Sequence, residues 1–453
     1  TMQEIQSIME TLSGLVWGPY MLVLIVGTGV FLTFRLLFWQ FRMLPFAFKQ
    51  VFGKHPNKKE SGDISQFASL MTALSATIGT GNIAGVATAC VLGGPGAVFW
   101  MWMTALFGMA TKYGEGVLAV KYRHKNEKGE MNGGPMYYIE RGLGPKWKWL
   151  AVLFALFGTL ASFGIGSSVQ SNTVALAVEN SLGIETWMTA IVITAFSALV
   201  ILGGIKTISK ASSVIVPIMA LGYVIGGLII ILNNTDLILP ALQMIFTYAF
   251  TGEAAAGGAI GAAIRYGVAR GVFSNEAGMG SAPIAAAAAQ TDHPARQGLV
   301  SMTGTFLDTI IVCSITGIVL VMGFIMAGNS FGNQTGAVLT ISVFDQLLPG
   351  FGGWVVTFGI IFFAYSTILG WSYYGEKCCT YLLGEKSVFI YRLIYIASVF
   401  IGCVVTLDLV WLFADTFNGL MAAPNCIALL LLSGVIAKES KDFIVRRKTG
   451  ELY

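Results

Sequence analysis

The stretch Ser75-Ala76-Thr77-Ile78-Gly79-Thr80-Gly81-Asn82-Ile83-Ala84-Gly85 lies in the middle of one apolar run, and Phe273-Ser274-Asn275-Glu276-Ala277-Gly278-Met279-Gly280-Ser281-Ala282-Pro283 lies in the middle of another. Each carries Gly-X-Gly followed by a small polar residue, and Gly79 and Gly278 are 199 positions apart. A glycine weakens a helix by about 1 kcal/mol relative to alanine. Such pairs also leave backbone amides and carbonyls free in mid-membrane, where an unmet polar group is costly. One segment alone reads equally well as close helix packing through small residues. Two at matching places in the chain point to a pair of interrupted helices. That is the sequence mark of a secondary-transporter site, where half-helix amides hold an anionic group and freed carbonyls hold a cation.

The rest of the chain fits a membrane. Of 453 residues 55% are hydrophobic and only 11% charged, against about 25% charged in a soluble domain; the mean hydropathy is +0.74. The apolar runs are long and continuous rather than alternating, which excludes a β-barrel. They predict an all-α polytopic membrane protein with eleven spans at about 14–38, 66–91, 96–120, 149–179, 187–203, 212–232, 256–290, 298–326, 352–383, 389–411 and 413–437. The stretch Asp236–Phe250 reads as an interfacial helix.

Lysine and arginine orient these spans. Arg35 ends the first span, and Arg42, Lys49, Lys54, Lys58 and Lys59 follow it in a loop. Seven more lie from Lys121 to Lys148, then Lys206, Lys210, Arg296, Lys377, Lys386 and Arg392, and five end the chain from Lys438. The alternate loops and Thr1–Ser13 have none, which places the N-terminus outside and the C-terminus in the cytoplasm of a cell membrane. Five spans start with each interrupted segment, and five is odd, so the two halves have opposite topology. The domains expected are an extra helix and basic loop (1–65), a first repeat (66–235), a second, inverted repeat with the interfacial helix at its start (236–437) and a basic tail (438–453).

Other classes find little support. The charge of +4 gives no reason to expect nucleic acid, and the six cysteines sit in or beside apolar runs without metal-ligand spacing. The N-terminus shows neither a charged leader nor a cleavage site, so no removable signal peptide is expected. His55, His124 and His293 all fall in loops, leaving no intramembrane base or haem ligand, and no Gly-x-x-x-x-Gly-Lys-Ser/Thr is present for an ATP-driven pump. No enzyme and no cofactor are expected. A channel is a nearer rival, but an inverted pair within one chain favours alternating access.

The runs Thr72–Ala87, Gly93-Gly94-Pro95-Gly96-Ala97-Val98-Phe99-Trp100-Met101-Trp102 and Gly271-Val272-Phe273-Ser274-Asn275-Glu276-Ala277-Gly278 resemble the alanine/glycine:cation symporter family over essentially the whole chain. That family resembles in turn the leucine-transporter-type fold of five-plus-five inverted repeats. The resemblance implies sodium-coupled uptake of alanine and glycine, with proton coupling in some members as the alternative.

It also implies a site. The amides of Gly79, Thr80 and Gly81, and the region Ala277, Gly278 and Met279 to Gly280, are expected to face the substrate carboxylate. Ser366 and Thr367 match the hydroxyl pair that helps bind sodium in that fold, with Ser75, Ala76 and Ile78 supplying carbonyls. A second ion position maps to Thr77, Asn82, Ser274 and, near Thr305, Asp308. Asp308 reads as a cation ligand, a proton carrier or a structural partner, because a carboxylate in mid-membrane is costly. Gln170 and Asn275 are polar candidates for the pocket, with Glu276 beside the second break, and Phe273 and Trp371 are aromatic candidates for its walls. Lys112 and Glu115, three apart on a helix, are expected to pair. Arg265 and Arg270 are expected in the outer half of the broken seventh span, with Asp408 or Asp415 as partners.

Overall fold

In lipid every backbone polar group has to be paired within its own segment, so long apolar runs fold as helices. The structure, a computed structural model, describes residues 2–53, 60–251, 260–405 and 408–452, without the side chains of residues 2, 3, 260 and 408–411. Lys54, His55, Lys58, Lys59 and the side chain of Asp408 lie outside this description.

The chain opens with α1 (Met2–Val16) and turns at Trp17-Gly18 into α2 (Pro19–Arg35), followed by α3 (Trp39–Phe52). The first interrupted helix is α4 (Gln66–Thr77) and α5 (Ala84–Gly93); α6 (Ala97–Lys121) follows. A hairpin of β1 (His124–Lys125) and β2 (Met131–Asn132) leads to the short α7 (Pro135–Leu143). Next, α8 (Lys148–Ala161) and α9 (Val169–Leu182) run on through a π-helical stretch, Ser162–Ser168, and α10 (Thr186–Ile201) and α11 (Gly204–Leu232) close the first half. The second half begins with α12 (Ile238–Thr251) and the second interrupted helix, α13 (Ile260–Asn275) and α14 (Ala282–Ala286). Another π-helical stretch, Phe306–Cys313, joins α15 (Pro294–Thr305) to α16 (Ser314–Met326). Then come α17 (Gly336–Leu347), α18 (Gly352–Leu383), α19 (Val388–Val404), α20 (Asp408–Leu420), α21 (Ala422–Leu431) and α22 (Ser433–Lys448).

Six helical stretches among the described residues are long and apolar enough to cross a membrane, and the pair Leu412–Leu431 and Ser433–Lys448, bent by 59°, makes a seventh. The other expected spans fall short for visible reasons. Two are broken, α10 has 16 residues, and α6 carries Lys112 and Glu115 in its second half. Both breaks stand where the glycine pairs predict them, and α12 covers the expected interfacial helix.

Several stretches read as connections are ordered helix. The basic loop after the first span holds α3, because its inner face buries Trp39, Ala47 and Val51 against the bundle. Gln50 on that face accepts a 2.7 Å hydrogen bond from Arg296, and Gln40 donates to Thr33 at 2.8 Å. The connection before α18 holds α17, and Lys206 and Lys210 lie in the first turns of α11. The basic tail is part of α22, which packs on α6 and α15; Tyr113 and Ser440 hydroxyls meet at 2.6 Å there.

The two interrupted helices occupy the centre, with α6 and α15 packed behind them and α18 with α8–α9 in front. Beside α18, Arg392 holds the buried Glu376 through two bonds of 2.7 and 3.1 Å. Removing one partner of such a pair strands the other charge and costs about 3–5 kcal/mol. Arg392→Ala is therefore expected to lower the thermal midpoint of the purified protein, read by size-exclusion after heating, with Arg392→Lys falling between.

Candidate functional site

The first break runs from Ile78 to Ile83. Gly79 is extended (φ −139°, ψ −153°), and Thr80–Asn82 form a single 3-10 turn. A Cβ added to Gly79 where it stands would lie 2.5 Å from Thr367 Oγ1, so the close approach of α18 favours glycine there. The freed amides turn elsewhere: Gly79 N–H donates to Asn82 Oδ1 at 2.9 Å and Thr80 N–H to Gln170 Oε1 at 3.4 Å. Gln170 is aimed by the π-helical stretch before it, its amide donating to Ile165 O at 3.0 Å.

The carbonyls freed by the same break face α18. Ser366 Oγ lies 3.2 Å from Ser75 O and 3.5 Å from Ile78 O, and Thr367 Oγ1 lies 3.4 Å from Ile78 O. Each hydroxyl has only one proton. Both have a nearer acceptor in Phe363 O of their own helix, at 2.8 and 2.9 Å. With those protons placed there, four oxygens converge with lone pairs towards one another. Separations of 3.2–3.5 Å are also those of neighbouring oxygens around a hard cation with bonds of about 2.3–2.6 Å. Ala76 stands beside them, its Cβ against Gly370.

The second break is built differently. Glu276 (φ +55°), Gly278 (φ +90°) and Gly280 (φ +84°) take left-handed backbone, which for a non-glycine residue stores about 1–3 kcal/mol. Its freed groups are already taken by protein. Gly278 N–H and Gly280 N–H donate to Glu115 Oε1 at 3.1 and 3.2 Å, and Asn425 donates to the same oxygen at 2.7 Å and to Gly278 O at 2.9 Å. Trp371 Nε1 donates to Glu276 Oε1 at 3.1 Å, and Ser281 donates to its other oxygen. Asn275 accepts from Ala277 N–H and donates to Thr309, while Met279 is fully buried in an apolar cluster with Ile25 and Val272.

Asp308, fully buried, ties the two breaks together. Its Oδ1 accepts from Asn82 of the first at 2.7 Å, and its Oδ2 from Ser274 of the second at 2.9 Å and from Thr309 at 2.8 Å. Thr77 does not join this group; it bonds back to Ala73 O and faces α6. Lys112 and Glu115 do not form the expected direct ion pair. Glu115 is engaged by the second break, and Lys112 lines a small cavity with Thr77, Asn275 and Gln297. The sequence paired Glu115 with Lys112, but the partners that hold it lie 163 and 310 positions away.

A vestibule of about 420 Å³ opens above the first break on the α1 side. Thr80, Gly81 and Phe273 line it, with Arg270, Asp415 and Glu10 higher up. Phe273 covers Gly81, where an added Cβ would come within 3.2 Å of the ring, and the Arg270 guanidinium lies 5.5 Å from the ring centre. Arg265 instead lies over Tyr266.

Paired helix breaks packed between helices that supply hydroxyls, an amide and a carboxylate define the class, a secondary-transporter fold. The backbone is similar to the crystal structure of MhsT in complex with L-phenylalanine, with a TM-score of 0.56 at 13% identity over 82% of this chain and 89% of that one. A model described as the sodium:alanine symporter family matches residues 2–452, and the chain belongs to that family. It is 58% identical over 444 residues to the sodium/alanine symporter AgcS of Methanococcus maripaludis, covering 98% of each. It is 38% identical over 454 residues to the putative sodium/proton-dependent alanine carrier protein YrbD of Bacillus subtilis, covering 97% of this chain and 93% of that one.

Gly79→Ala is expected to abolish gradient-driven uptake of radiolabelled alanine at normal expression, because the methyl group forces Thr367 away from Ile78 O. Gly85→Ala, whose Cβ meets nothing within 4 Å, is expected to transport normally.

Proposed function

We propose that this chain couples sodium to the uptake of alanine and glycine into the cytoplasm by alternating access. The observation that carries the reading is the set of four oxygens, Ser75 O, Ile78 O, Ser366 Oγ and Thr367 Oγ1, at 3.2–3.5 Å, with Phe363 O as the nearer acceptor for both hydroxyls. An ion seated there neutralises their mutual repulsion and draws α4 onto α18. That fixes the extended segment at Gly79, whose neighbours then take the amino-acid carboxylate at the floor of the vestibule, Gly81 through its own amide and Thr80 once its N–H gives up the 3.4 Å bond to Gln170 Oε1. Gln170 fits the substrate ammonium through Oε1, and Phe273 and Trp371 keep the pocket small.

The second break plays a supporting part in this reading. Glu115 already answers its amides, so Ala277, Gly278 and Met279 shape the site without binding substrate, and Asn275 and Glu276 brace it. Asp308, met by three donors, serves as a fixed anion joining the breaks through Asn82 and Ser274. Proton coupling through Asp308 is the second reading, favoured by its contact with both interrupted helices. The basic loops support an outside N-terminus, a cytoplasmic C-terminus and eleven crossings, with 66–235 and 236–437 as inverted repeats.

In proteoliposomes at fixed pH, an inward sodium gradient is expected to drive alanine accumulation and a potassium gradient to drive none. Thr367→Ala is expected to raise the half-saturating sodium concentration about tenfold, the loss of about 1.4 kcal/mol. An unchanged sodium dependence in that variant would remove the ion from this place. Accumulation driven by a proton gradient alone would move the coupling to Asp308.

A further inference from the structure

A second group of oxygens lies behind the two breaks, around Lys112. Lys112 stands in the second half of α6 and is 3% exposed. Among the described residues no hydrogen bond and no ion pair meets its ammonium. Such a group is a compact charge with three donors, and it is costly to bury in a membrane without partners. It lines a cavity of about 10 Å³, room for about one water, together with Ser69 and Thr77 of α4, Asn275 of α13, and Gln297 and Ser301 of α15. The protons of these neighbours are largely committed elsewhere. Thr77 Oγ1 donates to Ala73 O at 3.2 Å, and Ser69 Oγ donates to Ala285 O at 2.9 Å while accepting from Gln297 Nε2 at 3.3 Å. That bond sets the Gln297 amide and leaves its Oε1 buried without a partner. Asn275 turns its nitrogen to Thr309 at 3.2 Å. What remains for the cavity is oxygen, the ligand of a cation.

The four residues expected to hold a second ion are already engaged. Asn82 and Ser274 donate to Asp308 at 2.7 and 2.9 Å, and Thr309 completes the carboxylate at 2.8 Å. The fourth, Thr77, lines the Lys112 cavity instead. Three fully buried carboxylates surround the breaks: Asp308, and Glu115 and Glu276 at the second. The charge of Lys112 acts on all three. Buried charges are paired or bind metal ions, and here the chain itself supplies the opposite charge.

We infer that Lys112 is a resident cation: its ammonium takes the place behind the breaks that a second coupling ion would fill, so one sodium is carried with each alanine. The inference rests on the sodium-coupled reading above and adds to it the number of ions. It makes Lys112 a positioning residue, which touches neither the amino acid nor the ion between α4 and α18.

The test is equilibrium binding of radioactive sodium to the purified protein in saturating alanine. Lys112→Ala is expected to bind one sodium more per chain than the unmodified protein, because the vacated oxygens and uncompensated carboxylates take an ion from solution. Lys112→Arg keeps the charge and is expected to bind the unmodified number. An equal count in Lys112→Ala and the unmodified protein would overturn the inference. Should Lys112→Ala fail to fold, the count in the unmodified protein decides: at most one sodium per chain upholds the inference, and two overturn it. These counts do not depend on transport. An unmodified protein that binds sodium yet accumulates no alanine under a sodium gradient strikes the transport reading alone.

Discussion

Everything in this molecule turns on what becomes of backbone groups set free inside a membrane. An unpaired amide or carbonyl in lipid is too costly to leave unmet, so a helix is broken there only where partners have been arranged for it. The two breaks answer this demand in opposite ways. At the second, Glu115, Asn425, Trp371 and Ser281 satisfy the exposed groups, and the break becomes a fixed part of the frame. At the first, Asn82 and Gln170 take two amides, while the carbonyls of Ser75 and Ile78 face the Ser366 and Thr367 hydroxyls, which have a nearer acceptor in Phe363 O. One break is closed by protein; in the proposed reading the other is completed by solute.

This asymmetry also orders the packing around the site. Asp308 accepts from Asn82 of one break and from Ser274 of the other, so a single carboxylate joins the two. Behind them, α6 carries Glu115 to the second break, and Arg123 just beyond it donates to Ala287 O and Ala289 O after α14. In front, α18 approaches closely enough that Gly79 and Gly370 have no room for side chains. The vestibule of about 420 Å³ is lined by Thr80 and Gly81 of the first break and Phe273 of the second.

Much of this was legible in the sequence because it follows from local chemistry. The Gly-X-Gly pairs at matching places in two apolar runs marked the interrupted helices, although Gly27-Thr28-Gly29 and Gly114-Glu115-Gly116 continue as helix, and the long apolar runs marked the membrane class. The hydroxyl pair Ser366–Thr367 came through resemblance and meets carbonyls of Ser75 and Ile78. What escaped depends on distant partners. The reading paired Lys112 with Glu115 because they are one turn apart, yet the amides of Gly278 and Gly280 offer Glu115 more. The helices α3 and α17 were read as connections because their burial comes from surfaces that other helices provide. Thr77 was grouped with Asp308 by position, and the turn of α4 sends it the other way.

The central claim is that the four oxygens at the first break bind the ion that organises the amino-acid site. Linkage makes it measurable without transport, since an ion that raises alanine affinity must itself be bound more tightly when alanine is present. The decisive measurement is calorimetric titration of alanine into the purified protein across a sodium series, with potassium keeping ionic strength constant and pH fixed. The account predicts an alanine dissociation constant that falls steadily as sodium replaces potassium, and in Thr367→Ala the same fall displaced to about tenfold higher sodium. Equal affinity in sodium and potassium would contradict it.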